Sequence, residues 1–386
     1  MNILFITPSI PSQFHRRRSL DILTCLSRVH GVYLVSLAAS EQVDTREIAP
    51  FCKKMQFVYQ SRLRSFLLCA LYLFSSLPLE VAYCRNKKMN AAIRDIVNRN
   101  AIDVIYIKRL RSAQFVDADI TVPCVLDTTD AMSLFYERAY HSAKWLKKIL
   151  FWEEWTKYRM YEHALFARFK NWIVCSPVDI SYLQQQAPSD VLFHYVPNVV
   201  DTDWYRATSI SPKTHTILFS GLMDKFVNIE AAHYFIQEIF PFILQKFPDT
   251  KLSIVGPNPP HSLKKLISKN IIVTGHVADI RDSIAQSAVV VCPIKTGTGT
   301  RFKILQAWSI GRPVVTTSAG VEGLDAQDCH DLLIRNTPQD FAEAVCTLFT
   351  NHELANHLVK NARTLVGTTY SLHSMDNAIH HAFTTL

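Results

Sequence analysis

VCPIKTGTGTRFKILQAWSIGRPVVTTSAGVEG, residues 291–323, decides the architecture. The apolar run 289–294 opens into a loop holding Gly297 and Gly299. Arg301 and Lys303 then flank the start of a helical stretch that stops at Gly311, and the apolar Pro313-Val314-Val315 follows at once. Strand, glycine loop, helix and strand in this order make a βαβ unit. Free amides at the helix start, its macrodipole and two cations converge on the loop, where an anion can sit. Glycines serve there because a Cβ would bar close backbone approach and forbid φ > 0. The same spacing also fits an ordinary βα turn with surface cations.

Apolar runs and helical stretches alternate on either side in two series. In the first half the predicted strands are 3–6, 32–37, 55–59, 104–107, 122–127 and 172–175. In the second they are 215–220, 251–255, 271–274, 289–293, 313–316 and 332–334. The helices predicted between them include 62–75, 87–100, 144–169, 227–246, 302–310 and 338–366. Alternation of this kind implies parallel sheets covered by helices on both faces, and its recurrence implies two doubly wound domains. At 386 residues the chain exceeds what one core supports. The polar, turn-rich segment 196–205 is the predicted boundary, giving domains 1–200 and 201–365. Ligands bind such sheets beyond the carboxyl ends of the strands, so two Rossmann-like domains suggest a cleft taking one ligand from each.

Composition narrows the rest. Nine cysteines include no CxxC pair and no zinc spacing, which predicts a reducing compartment and no structural metal. The opening MNILFITP reads as a strand with no basic n-region, and no stretch of about 18 uncharged apolar residues follows. A cytoplasmic protein is therefore expected. The net charge of +8 gathers in residues 1–170, notably at Arg16-Arg17-Arg18, Lys87-Lys88, Lys108-Arg109 and Lys147-Lys148. Without any recognition-helix, zinc-finger or aromatic RNA-binding pattern, nucleic acid is the poorest partner for it. Anionic lipid suits it better: 62–83 and 144–155 set aromatic and aliphatic residues beside lysines and arginines, as interfacial helices do. The alternative is two core helices with solvated ends.

Five passages, in order, carry a resemblance. They are Val196-Pro-Asn-Val-Val-Asp201, then Leu218-Phe-Ser-Gly-Leu-Met-Asp-Lys225 with Asn228, then Leu252-Ser-Ile-Val-Gly-Pro257, Ile272-Val-Thr-Gly-His-Val-Ala-Asp279, and 297–323. Together they resemble the family 4 group of GT-B glycosyltransferases, in its exopolysaccharide- and PEP-CTERM-associated branch. The resemblance implies a GT-B fold and a retaining hexosyltransferase that uses a nucleoside-diphosphate sugar as co-substrate, with no cofactor and no metal. Arg301 and Lys303 would stabilise the departing diphosphate. Ser220, Gly221, Lys225, His276, Val277, Gly299, Thr300, Gln306 and Glu322 would bind the donor. A final helix, 366–386, would cross back to the first domain.

In the first domain, Asp130 follows an apolar strand and is the candidate carboxylate beside the acceptor hydroxyl. Its alternative is an Asx turn or a helix cap. His15, Arg16 and Arg17, with Arg18 beside them, follow the first strand and are candidates for holding an acceptor phosphate, or form a solvated loop. The acceptor would be a glycan or lipid-linked sugar for cell-surface polysaccharide or glycolipid, met at the inner face of the membrane. Two departures stand out. Thr298 and Gln306 occupy positions where the family usually has glutamates, and Pro8–Arg18 lacks the family's glycine turn. They keep open a catalytically weak or inactive pseudo-glycosyltransferase that binds a sugar nucleotide or a partner protein.

Overall fold

The structure, a computed structural model, describes residues 1–12, 17–143, 145–206, 210–296 and 299–384, without the side chains of Leu146 and Arg206. It divides into two compact units, Met1–Pro197 with Met375–Leu386, and Asn198–Ser374. The first holds β1 (Asn2–Thr7), β2 (Gly31–Ala38), β3 (Lys54–Tyr59), β4 (Val104–Lys108), β5 (Cys124–Thr129), β6 (Asn171–Val174) and β7 (Leu192–Tyr195). They form one parallel sheet in the order β3-β2-β1-β4-β5-β6-β7. The second holds β8 (Thr216–Ser220), β9 (Lys251–Val255), β10 (Ile271–Gly275), β11 (Val289–Cys292), β12 (Val314–Thr316) and β13 (Leu333–Ile334), also parallel, in the order β10-β9-β8-β11-β12-β13.

The central strands are continuous apolar runs because helices cover both sheet faces. Ile3 to Ile6 and Val289 to Cys292 are buried throughout. Strand order reverses once in each sheet, between β1 and β4 and between β8 and β11. At such a reversal the flanking connections leave in opposite directions and open a crevice at the carboxyl ends.

Several boundaries differ from the sequence expectation. β7, LFHY, is a half-exposed edge strand without an apolar run, so the pattern passed over it. The helix expected over 338–366 is two, Pro338–Thr350 and His352–Thr369, because the Asn351 side chain accepts from Leu354 N–H and starts a new one. The helix expected over 366–386 begins only at Leu372 and runs to Thr384, after Tyr370 and Ser371 interrupt the chain. The first crossing falls at Pro197, before the expected boundary at 200, since Val200 N–H donates to Tyr370 O at 2.9 Å inside the second unit. The second crossing falls at Ser374 where residue 365 was expected.

Candidate active site

In the second unit, the loops after β8 and β11 meet at the strand reversal. Helix Phe302–Ile310 follows β11, and its Lys303 Nζ lies 3.0 Å from Asn228 Oδ1 and 4.1 Å above the centre of the Phe219 ring. Phe219 belongs to β8 and Asn228 to the helix behind it, Phe226–Tyr234. Asn228 also donates to Leu222 O at 2.9 Å, which fixes the turn after Gly221. Burial pushes the Lys303 ammonium down to about 8, and the Arg301 charge acts in the same direction. Among the described residues no carboxylate lies within ion-pair distance of Lys303. A desolvated cation, fixed by an amide and an aromatic face, stands where a sheet of this kind receives its ligand.

Arg301 takes the N-cap position of that helix in extended conformation, its carbonyl accepting from Ile304 N–H at 2.9 Å. Gly299 is buried and its φ is positive, in the left-handed region, so a β-carbon there would be strained. Thr300 Oγ1 donates to Gly323 O at 3.4 Å and Thr296 Oγ1 to Glu230 Oε2 at 3.2 Å, tying the loop to its neighbours on both sides. Gly297 and Thr298 lie outside the described residues. Glu322 adjoins Gly323 and is partly buried. Ser220 is buried at the end of β8, and Lys225 stands exposed at the N-cap of helix Phe226–Tyr234.

Gly221, Gly256 and Gly275 stand at the carboxyl ends of three adjacent strands. Gly221 N–H donates to Val255 O and Gly256 N–H to Gly275 O, each at 3.0 Å. A Cβ on Gly256 would lie 1.7 Å from Gly221 O, so these backbones abut only because the side chain is missing. His276 and Val277 follow β10 on this ledge, His276 exposed and Val277 half-buried. The structure thus gathers Ser220, Gly221, Lys225, Gly299, Thr300, Arg301, Lys303 and Glu322 around the reversal, with His276 and Val277 toward the sheet edge. Gln306, one turn beyond Lys303, donates its amide to the Tyr205 hydroxyl. Tyr205 was not foreseen. It is a buried aromatic in what read as a polar linker, next to Trp204, over whose ring the Arg281 guanidinium lies at 4.0 Å.

The first unit has its own polar cluster at its reversal. Asp127, fully buried on β5, accepts from Lys108 Nζ at 2.8 Å and from the Tyr106 hydroxyl at 2.6 Å, with Arg18 Nη2 at 3.6 Å. Burial alone would raise the Asp127 pKa, but the charges of Lys108 and Arg18 outweigh it and hold it below the usual carboxylate range. Burial lowers that of Lys108. Arg18 also donates to Val196 O and Pro197 O at 2.9 and 2.8 Å. Directly after or at the ends of the adjacent strands β4 and β5, Arg109 and Thr129 both adopt positive φ, which is strained for non-glycine residues.

Asp130 lies just beyond this strained pair, 3.6 Å from Arg109 Nη1, and its Oδ1 accepts from Cys175 Sγ–H at 3.5 Å. The alternative helix-capping role does not hold. The next helix, Met132–Ser142, is started by other carboxylates: Ala131 N–H donates to Asp179 Oδ1 and Ser133 N–H to Glu162 Oε1. His15 and Arg16 lie outside the described residues. Arg17 is held by Asp21 of its own helix at 2.7 Å, and Arg18, the last of the candidate arginines, is the one that reaches the strand ends. Lys108 had only one sequence signal, a lysine closing a fully apolar strand.

Residues 214–351, within the second unit, match the family described as Glycosyl transferases group 1. A curated relative, an uncharacterized 44.6 kDa protein in the cps region of Klebsiella pneumoniae, is 24% identical over 163 residues. That match covers 40% of this chain and only 42% of the relative. Among solved structures, sucrose-phosphate synthase from Thermosynechococcus elongatus superposes with a TM-score of 0.73 at 14% identity, over 100% of this chain and 98% of the other. Anabaena Alr3699/HepE in complex with UDP-glucose gives 0.71 at 14% identity, over 100% of each chain. With its two parallel-sheet α/β domains, the chain has the GT-B fold.

Proposed function

We propose that this chain is a retaining, metal-independent hexosyltransferase of glycosyltransferase family 4, in the exopolysaccharide-associated branch. It would transfer sugar from a nucleoside-diphosphate sugar to a glycan or lipid-linked acceptor at the inner membrane face. One observation carries the reading: the fixed, desolvated Lys303, with no carboxylate in ion-pair reach among the described residues, beside Arg301 at the strand reversal of a group 1 domain. When the glycosidic carbon leaves the donor, negative charge grows on the β-phosphate. A cation already stripped of water stabilises that charge without reorganising during the reaction. Arg301 and the amides at the start of helix Phe302–Ile310 act on the same oxygens. The leaving oxygen can then take the acceptor proton, with Asp130 orienting the acceptor sugar.

The UDP-glucose bound by the Anabaena relative makes UDP-sugars the first donors to test. Among the described residues no helix is long and apolar enough to cross a membrane, and peripheral attachment fits the basic and apolar helices of the first unit. Incubation with UDP-, GDP-, ADP- and TDP-hexoses, with and without EDTA, tests the reading by release of free nucleotide and the anomeric configuration of the product. Binding without turnover across the panel would instead favour the pseudo-glycosyltransferase. Its motivating observation is the Gln306 amide already engaged by Tyr205.

A further inference from the structure

We infer that the second unit carries another ligand site, at the end of its sheet remote from the donor loops, and that this site takes a small phosphate monoester. The site does not depend on the transferase reading. A pocket of about 270 Å³ opens at the amino ends of β8, β11 and β12, bounded by residues 212–215, Ala288, residues 311–313 and helix His352–Thr369. That volume lies near the lower bound of small-molecule sites, ~300 Å³, so the ligand is smaller than a sugar nucleotide. Sheets of this kind take their ligand at the carboxyl ends, and a donor bound there leaves these residues unexplained.

Its charge is one-sided. Lys213 and Arg312 line it, and no Asp or Glu does. Arg363 stands beside Arg312, its guanidinium packed over Gly311, where a β-carbon would collide with it. Among the described residues none of these three cations forms an ion pair. Arg312 Nη2 reaches only Ile210 O, at 3.4 Å, and Nη1 has no hydrogen-bond partner among the described residues and stays accessible. Burial and the Arg363 charge both depress the Arg312 pKa, so this guanidinium is held against desolvation and a like charge. The carbonyl end of helix Phe302–Ile310 would repel an anion, but Gly311 and Arg312 N–H both donate to Ala307 O, and Arg363 Nη2 donates to Ile310 O at 2.9 Å. A dianion supplies the missing counter-charge, and a planar guanidinium fork matches phosphate oxygens two at a time.

The rest of the wall selects an ester over the bare ion. Helix His352–Thr369 starts at the pocket with His352 on the lining, and the positive end of its macrodipole adds to the field. Glu353, the acid of its first turn, is not on the lining. Phe349 and Val359 give the pocket an apolar side, with the His215 ring 5.2 Å from that of Phe349. His215 Nδ1 is bonded to Asp249 at 2.9 Å, so this ring serves as wall and not as anion ligand. On the exposed rim, Thr214 and Asn356 hold a hydroxyl and an amide without partners among the described residues, suited to the hydroxyls of an esterified polyol or sugar.

Calorimetric titration of the full chain with glucose 6-phosphate, glycerol 3-phosphate and phenyl phosphate tests the site, against inorganic phosphate, sulfate and glucose. At least one ester should bind once per chain, about tenfold or more tighter than inorganic phosphate or sulfate, and glucose should not bind. Arg312→Met should weaken that ester by about tenfold or more, because a charged hydrogen bond is lost. Lys213→Gln, at an exposed position, should weaken it by about threefold or more. Lys303→Met should leave it unchanged. No binding of any ester, or binding untouched by both Arg312→Met and Lys213→Gln, overturns the site. Inorganic phosphate or sulfate binding as tightly as the esters marks an adventitious ion only, and ester binding lost in Lys303→Met puts the ester at the donor loops. Either result also overturns the site. Thermal midpoints report whether each variant is folded, and if Arg312→Met is not, Lys213→Gln decides.

Discussion

Replacing Lys303 with Met should move stability and ligand binding in opposite directions. The ammonium pKa lies at about 8 against an ordinary 10.5, so the charged form is disfavoured by roughly 3 kcal/mol in the unliganded fold. Met keeps the apolar stem over Phe219 but loses the bond to Asn228, which takes back about 1 kcal/mol. The difference between these two effects should leave the variant more stable at pH 7, by roughly 2 kcal/mol. The sign with pH follows from linkage. Because the folded pKa is depressed, the unfolded chain binds more protons between about 8 and 10.5, and wild-type stability rises with pH across that window. The advantage of Met should shrink over the same range.

Binding runs the other way. A cation about 4 Å from a diphosphate oxygen gains about 4 kcal/mol at an effective dielectric of about 20. A charged hydrogen bond retains about 1.5–3 kcal/mol of that, a loss of roughly 10- to 150-fold in affinity on substitution. In the wild type, nucleotide affinity should be fullest below pH 8 and fall as Lys303 deprotonates above it. Urea unfolding across pH 7–10 and calorimetric titration with the best-binding nucleoside diphosphate measure both. A variant that binds as well as wild type, or one that is less stable at pH 7, would refute the assignment of Lys303 as a strained anion-binding cation.

Asp130→Asn should lower kcat about 100-fold while nucleotide affinity stays unchanged, read by product formation and calorimetry on one preparation. Gln306→Glu restores a carboxylate beside the Tyr205 hydroxyl and should tighten nucleoside-diphosphate binding by about 2- to 10-fold through a charge-assisted bond. Asp127→Asn leaves Lys108 and Arg18 buried without their counter-charge, and urea unfolding should show a loss of about 3–5 kcal/mol. Since the Asp127 pKa is depressed, its contribution is present above the ordinary carboxylate pKa of about 3.9 and is lost as pH falls below that. Wild-type unfolding midpoints should drop there, and those of Asp127→Asn should drop less.

The pattern of the chain revealed the two sheets because the central strands are buried on both faces and read as unbroken apolar runs. It missed β7, where the same pairing needs no apolar run at a half-exposed edge. Arg301 and Lys303 were legible because helix starts behind glycine loops have a local signature. What Lys303 touches was not, since Phe219 and Asn228 lie 84 and 75 residues earlier and only the sheet order brings them together. The basic loop after β1 misled for a similar reason. Three consecutive arginines look equivalent in sequence, but the helix they enter points Arg17 back to Asp21 and Arg18 to the strand ends.

Gln306 is where these two kinds of information pull apart. Against the family pattern it is a missing carboxylate, which argues for a weakened donor site. In the structure it is a committed hydrogen-bond donor to a buried tyrosine that the pattern does not include. Tyr205 supplies the hydrogen bond that positions the amide and leaves its oxygen free to accept from the ligand. Tyr205→Phe should then weaken nucleotide binding in the wild type and have little effect in the Gln306→Glu background, because a carboxylate needs no partner to accept a ribose hydroxyl.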